Sequence, residues 1–258
     1  MPETKGLAST TRLAVTLAVL LVTLAAPALT APRDPAVVDA ALEALAALSP
    51  VTRRVFTWLL VVLGALLVLD ETAVCLGRTG SMFACQTFDV IPDILTIGKG
   101  IGGGVIPFAA MIARTDLDVA PEKGIGHYTH EKNPVAAAAG LATIDIIETQ
   151  NLPQRAVEMG NYALKRLQDM QNDHPLIGDV RGVGLVLGID LVKDRSSKER
   201  AVAEADRLMY ACLQGGLSFK TSQGSFIPLS PPLTIKRQEL DDALDILESA
   251  LTVVESGI

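Results

Sequence analysis

Asp93-Ile94-Leu95-Thr96-Ile97-Gly98-Lys99-Gly100-Ile101-Gly102-Gly103-Gly104-Val105-Ile106-Pro107 decides the fold class of this chain. Ile94 to Ile97 is a short apolar run of the kind that forms a buried strand. It stops at Gly98. One lysine follows, with four more glycines directly behind it, and no carboxylate lies between Asp93 and Asp116. A lysine in an apolar, glycine-lined setting is pushed towards its neutral form, because burial disfavours the charge. A neutral amine attacks carbonyls and forms a Schiff base. The glycines let backbone or a flat ligand approach closely. The plainer alternative is a solvated lysine beside a glycine turn, the usual fate of a lone lysine.

A second stretch bears on that choice. Val61-Val62-Leu63-Gly64-Ala65-Leu66-Leu67-Val68-Leu69 runs into Asp70-Glu71. A buried strand ending in carboxylates is how an open α/β sheet brings an acid to its ligand edge. The alternative is that Asp70 caps the next segment. An acid at one strand end and a lysine at another form the pair that pyridoxal phosphate requires: the lysine bonds its aldehyde, and the acid keeps its pyridine nitrogen protonated.

More motifs follow in order: Leu76-Gly77-Arg78-Thr79-Gly80, His127-Tyr128-Thr129-His130-Glu131-Lys132-Asn133-Pro134, Gly178-Asp179-Val180-Arg181-Gly182-Val183-Gly184-Leu185, and Leu229-Ser230-Pro231-Pro232-Leu233-Thr234. With the two strand ends, this series resembles the class III aminotransferases of fold type I, from about Leu63 to the C-terminus. The resemblance covers only the second half of a complete family member. It implies an α/β architecture: residues 62–150 as part of a PLP-binding large domain, and residues 151–258 as a small C-terminal α/β domain. It implies pyridoxal 5'-phosphate as cofactor, Lys99 and Asp70 as catalytic and cofactor-binding residues, and Thr129 as a ligand of the phosphate in the partner subunit of a homodimer. Small-molecule amines and keto acids are the implied substrates, with Lys99 as the base that moves the substrate proton. His130, Glu131 and Lys132 read as solvated loop residues.

Two positions depart from the family pattern. Ala73 stands where many members carry a glutamine that touches the ring oxygen. Pro228 stands where many carry an arginine that clamps the substrate carboxylate, a strong bidentate contact. Three functions are therefore carried forward. The first is transamination of an amine or amino acid, by a truncated and weakly active enzyme. The second is a PLP-dependent lyase on a phosphorylated or phosphonate amine. The third is a non-catalytic fragment or membrane-tethered pseudoenzyme.

Composition narrows the partners. A net charge of -7 argues against nucleic acid. Cys75, Cys85 and Cys212 are odd in number and lack metal-ligand spacing, as reduced thiols in a cytoplasmic protein would be. With three histidines, a histidine-rich metal site is not expected. Residues 1–61 are atypical. Leu13 to Ala31 is uncharged, follows Lys5 and Arg12, and ends in Ala-Pro-Ala-Leu-Thr-Ala, a signal-like pattern. A membrane contact or export would come only through residues 13–31. The favoured reading is unrelated sequence ahead of the surviving half of a cytoplasmic enzyme, with no phosphate-binding turn in residues 1–69.

Beyond Asp70 the pattern predicts a glycine-punctuated loop at 75–86 anchored by Arg78, a strand at 108–113, and a loop at 114–126. Helices are expected at 134–148 (capped by Asn133), 154–172, 198–214 and 236–254, and strands at 180–191, 217–220 and 226–229. The helix at 154–172 should bury Ala156, Met159, Ala163, Leu167 and Met170, and the last helix Leu240, Leu244, Leu247 and Leu251.

Overall fold

The computed structural model describes residues 65–124 and 128–257. The signal-like stretch, the short helix expected at 33–49 and the first residues of the Val61–Leu69 run lie outside them. From Val68 onward the chain forms one compact unit containing two sheets.

The first sheet has three strands: β1 (Val68–Asp70), β2 (Ile94–Ile97) and β3 (Ala110–Ala113). β1 runs parallel to β2, with Asp70 opposite Thr96, and β3 pairs antiparallel on the other side of β2. Three expectations are corrected here. β1 begins at Val68, and the described residues ahead of it, 65–67, are not strand, because the ladder with β2 lasts only from Val68↔Ile94 to Asp70↔Thr96. It is also not buried: Val68 is exposed and Leu69 half-buried. β3 is shorter than 108–113 and mostly exposed for the same reason, having only β2 to lie against. Cys75, Leu76, Leu95, Ile97, Ile101, Ile147 and Leu152 form the small core of this part.

The loop between β1 and β2 carries a one-turn helix, α1 (Ala84–Thr87). After β3 come a short 3-10 turn at Thr115–Leu117 and, further along the chain, α2 (Pro134–Thr149). Asn133 caps α2 as expected: its Oδ1 accepts from Val135 N at 2.9 Å, and Pro134 occupies the first turn, where a missing N–H costs nothing.

The second sheet is antiparallel. It comprises β4 (Ile177–Val183), β5 (Val186–Asp194), the two-residue β6 (Glu199–Arg200) and β7 (Phe226–Leu229), with β5 flanked by β4 and, further along, by β6 and β7. Helices α3 (Leu152–Asp173), α4 (Val202–Gln214) and α5 (Arg237–Glu255) pack with it around the larger core. Both predicted stripes are buried in full: Ala156, Met159, Ala163, Leu167 and Met170 on α3, and Leu240, Leu244, Leu247 and Leu251 on α5. Each fully buried leucine or isoleucine contributes about 1.5–3 kcal/mol. Arg166 on α3 ties to α5 through Asp245 at 2.8 Å.

Three further expectations are corrected. The run 180–191 is a hairpin, not one strand. Gly184-Leu185 turns the chain between Val183 and Val186, and Gly184 holds φ +56° there. The helix expected from Lys198 starts at Val202, because Glu199 and Arg200 pair with Asp194 and Val192. Asp194 Oδ1 accepts from Ser196 N and Ser197 N and folds that turn. Leu217–Lys220 is not a strand; the chain meets β7 only at the Ser222↔Phe226 bridge.

Candidate active site

β1 and β2 are parallel neighbours, so their C-terminal ends lie side by side. Asp70 is the last residue of β1. Lys99 comes two residues after β2, in a 3-10 turn at Lys99–Gly102. The pairing of acid and lysine read from the sequence is thus present in the fold. Between them stands Thr72, which the sequence reading passed over. Its N–H donates to Asp70 Oδ1 at 2.9 Å, and its hydroxyl accepts from Lys99 Nζ at 3.2 Å. Thr96 Oγ1, on β2, donates weakly to Asp70 at 3.4 Å. Asp70 is held below the usual carboxylate range, first by the Thr72 N–H, then by the Thr72 and Thr96 hydroxyls and the Lys99 charge. It is therefore ionised at neutral pH.

Lys99 is exposed, which corrects the expected apolar burial. Its strand ends at Ile97, and Lys99 and Gly100 in the turn that follows are both exposed. Lys99 sits at φ +49°, a left-handed conformation that costs a non-glycine residue about 1–2 kcal/mol. Such strain persists where the surroundings over-determine the backbone.

The lysine opens onto a cavity of about 580 Å³. Thr72, Ala73, Cys75, Arg78, Gly100 and Gly103 line one side, α2 contributes Thr143, Ile146 and Ile147, and Ser230, Leu233 and Thr234 close it from the segment after β7. Asp70 does not itself line the cavity; Thr72 intervenes. Arg78 anchors its loop as expected. Its Nη2 donates to Leu185 O at 3.0 Å and Pro231 O at 2.7 Å, tying the β4–β5 turn to the cavity wall, and burial lowers its basicity. Glu71, beside Asp70, does different work. It is buried, and its two oxygens accept from Ala84 N and Cys85 N at 2.6 Å each, holding the start of α1. Thr129 is exposed in the turn before α2 and does not line the cavity. Pro228 pairs with Gly188 in the second sheet. The described residues contain no cluster of three or more histidine, cysteine or acidic side chains able to hold a metal.

Comparison with known proteins places this geometry in context. A family model described as Aminotransferase class-III matches residues 62–251. An (R)-1-hydroxy-2-aminoethylphosphonate ammonia-lyase of Vibrio splendidus is 47% identical over 189 residues, which are 73% of this chain and 40% of that protein. A leucine/methionine racemase of Thermococcus litoralis is 46% identical, covering 75% of this chain and 44% of the other. An acetylornithine aminotransferase of Methanothermobacter thermautotrophicus is 40% identical over 70% of this chain and 44% of its own length. Among solved structures, an (S)-enantioselective omega-transaminase from Thermomicrobium roseum superposes with a TM-score of 0.72 at 33% identity, over 77% of this chain and 45% of that one. The chain thus spans less than half the length of these relatives.

Proposed function

The chain belongs to the class III aminotransferases, and from that premise we propose that it holds pyridoxal 5'-phosphate at the Lys99 cavity and serves amine chemistry there. The observation that carries this reading is the Lys99–Thr72–Asp70 arrangement at the ends of two adjacent parallel strands. The residues present fit the ring end of the cofactor. An ionised carboxylate lies one strand away from a primary amine, and the amine opens onto a cavity walled partly by glycine. When bound, the cofactor supplies an aldehyde and an electron-accepting ring. Lys99 would hold it through Nζ and move a proton at that atom. Asp70 would accept the ring N–H and keep its proton in place. Thr129 would serve the phosphate of a partner subunit in a homodimer. The division at about residue 150 into a large-domain part and a small domain, and a reducing, cytoplasmic setting for three free thiols, belong to the same reading.

The test is reduction with borohydride in the presence of pyridoxal phosphate, followed by peptide mapping. The label is expected on the peptide carrying Lys99. Label mainly on another lysine removes Lys99 from the role.

Two observations favour a second reading, a lyase acting on a phosphonate amine: the 47% identity to the Vibrio splendidus ammonia-lyase, and Pro228 in place of the carboxylate-clamping arginine. Release of ammonia from 1-hydroxy-2-aminoethylphosphonate, without amination of a keto acid, would decide for it. Amination of a keto acid would decide for transamination.

A further inference from the structure

We propose that Thr72 is the positioning residue of Lys99, its hydroxyl holding Nζ at the mouth of the cavity in line with Asp70. The inference rests on the cofactor reading above and adds a residue to it. Among the described residues, Thr72 is the one side-chain hydrogen-bond partner of Lys99. The same residue fixes Asp70 through its N–H, so one position orients both charged groups. Threonine suits this task because its branched β-carbon restricts χ1 and pre-places the hydroxyl. The neighbouring backbone accommodates it: a β-carbon built on Gly98 would stand 3.3 Å from Thr72 Cγ2. The threonine methyl thus occupies the space that a side chain at 98 would need, and its hydroxyl is left facing the lysine. The left-handed backbone of Lys99 is the complementary half of the arrangement. A strained turn sets the direction of the side chain, and Thr72 receives its end.

Chemically, the lone pair of a free amine must approach a carbonyl carbon along a defined path, and four freely rotating methylenes do not supply one. An acceptor at 3.2 Å reduces the volume that Nζ samples. Thr72 takes no part in bond making; it acts through Lys99.

The experiment compares wild type, Thr72→Val and Thr72→Ser at one neutral pH. The rate of pyridoxal phosphate labelling at Lys99 is read by borohydride trapping. Acetylation of Lys99 by acetic anhydride, which needs no binding site, is read in parallel. Thr72→Val should label about fivefold more slowly, the effect of one lost hydrogen bond of ordinary net strength. Thr72→Ser should return to within twofold of wild type. Acetylation should be equal in all three, with unchanged thermal midpoints. Labelling of Thr72→Val at the wild-type rate overturns the proposal. So does a slow Thr72→Ser, which would assign the effect to the methyl, or a matching fall in acetylation, which would assign it to general access. If Thr72→Val does not fold, Thr72→Ala supplies the same comparison. A wild-type chain unlabelled at Lys99 instead overturns the cofactor reading.

Discussion

Two adjacent carboxylates, Asp70 and Glu71, have opposite environments and should respond oppositely to mutation. Glu71 is buried with two backbone N–H groups as its partners. Removing it leaves both donors orphaned, at a cost of about 2–4 kcal/mol. Glu71→Ala should therefore lower the thermal midpoint by about 5–10 °C. Asp70 is exposed, so Asp70→Asn should leave the midpoint nearly unchanged. It should weaken pyridoxal phosphate binding about tenfold or more, measured by absorbance titration, because it removes the charge proposed to hold the ring proton. The reverse pattern would exchange the two roles. The juxtaposition of Lys99 and Asp70 was legible in the sequence because Asp70 ends one apolar run and Lys99 follows another after a single glycine. Thr72 was not. Its partner Lys99 is 27 residues away, and nothing in Glu-Thr-Ala marks a residue that bridges two strand ends. Glu71 was legible as an acid but not as a helix-holding one, since its donors lie 13 and 14 residues further on.

At the scale of elements, the close pass of α3 against the β4–β5 turn decides the sign of a common substitution. Glycine to alanine inside a helix is ordinarily stabilising, by about 0.5–1 kcal/mol. At Gly160 the added methyl would stand 2.0 Å from the Gly184 carbonyl oxygen. Overpacking of backbone on backbone outweighs the helix gain, and Gly160→Ala should destabilise by about 2 kcal/mol or more in urea titration. The helices were readable to within a few residues where an apolar stripe, a proline or an asparagine cap marked them. The β4–β5 hairpin was not, because apolar alternation continues across Gly184-Leu185 and that pair lacks the asparagine or aspartate of a familiar turn. Asp194 with Ser196 and Ser197 is a second turn, and its signal, an acid followed by serines, stands just ahead of the helix expected from Lys198.

For the molecule as a whole, burial makes alkaline pH the vulnerable side. Burial pushes the Cys212 thiol up to about 11. A raised folded value means the buried thiol contributes fully below the unfolded value near pH 9, and that contribution is lost as pH rises towards 11. Native Cys212 should resist iodoacetamide at pH 8. The urea midpoint should fall between pH 9 and 11, and Cys212→Ala should flatten that fall. Apolar side chains also remain at the surface around the first sheet and α2, including Ile91, Val105, Met111, Val135 and Leu141. Surfaces of this kind drive association. We expect the chain by itself to self-associate in sedimentation and to bind pyridoxal phosphate weakly. A monodisperse monomer with a stoichiometric cofactor absorbance band would refute that. No helix among the described residues is long and apolar enough to cross a membrane.

The double tie between Arg78 and Leu185 also has a consequence in time. Arg78 Nη2 donates to the Leu185 carbonyl, while Leu185 N donates to the Arg78 carbonyl at 2.9 Å, across 107 residues of chain. Hairpins and helices form from near neighbours in microseconds, whereas so distant a pair must await its closing loop. The cavity walls, drawn from residues 72–103, 143–152 and 230–234, rest partly on the smaller of the two cores and should separate before the larger α3–α5 core does. Native-state hydrogen exchange would register this order. The Leu185 amide should exchange through a lower-energy opening than the β5 amides of Ile189 and Leu191. If so, the chain can lose the mouth of its cavity while its larger core stays folded.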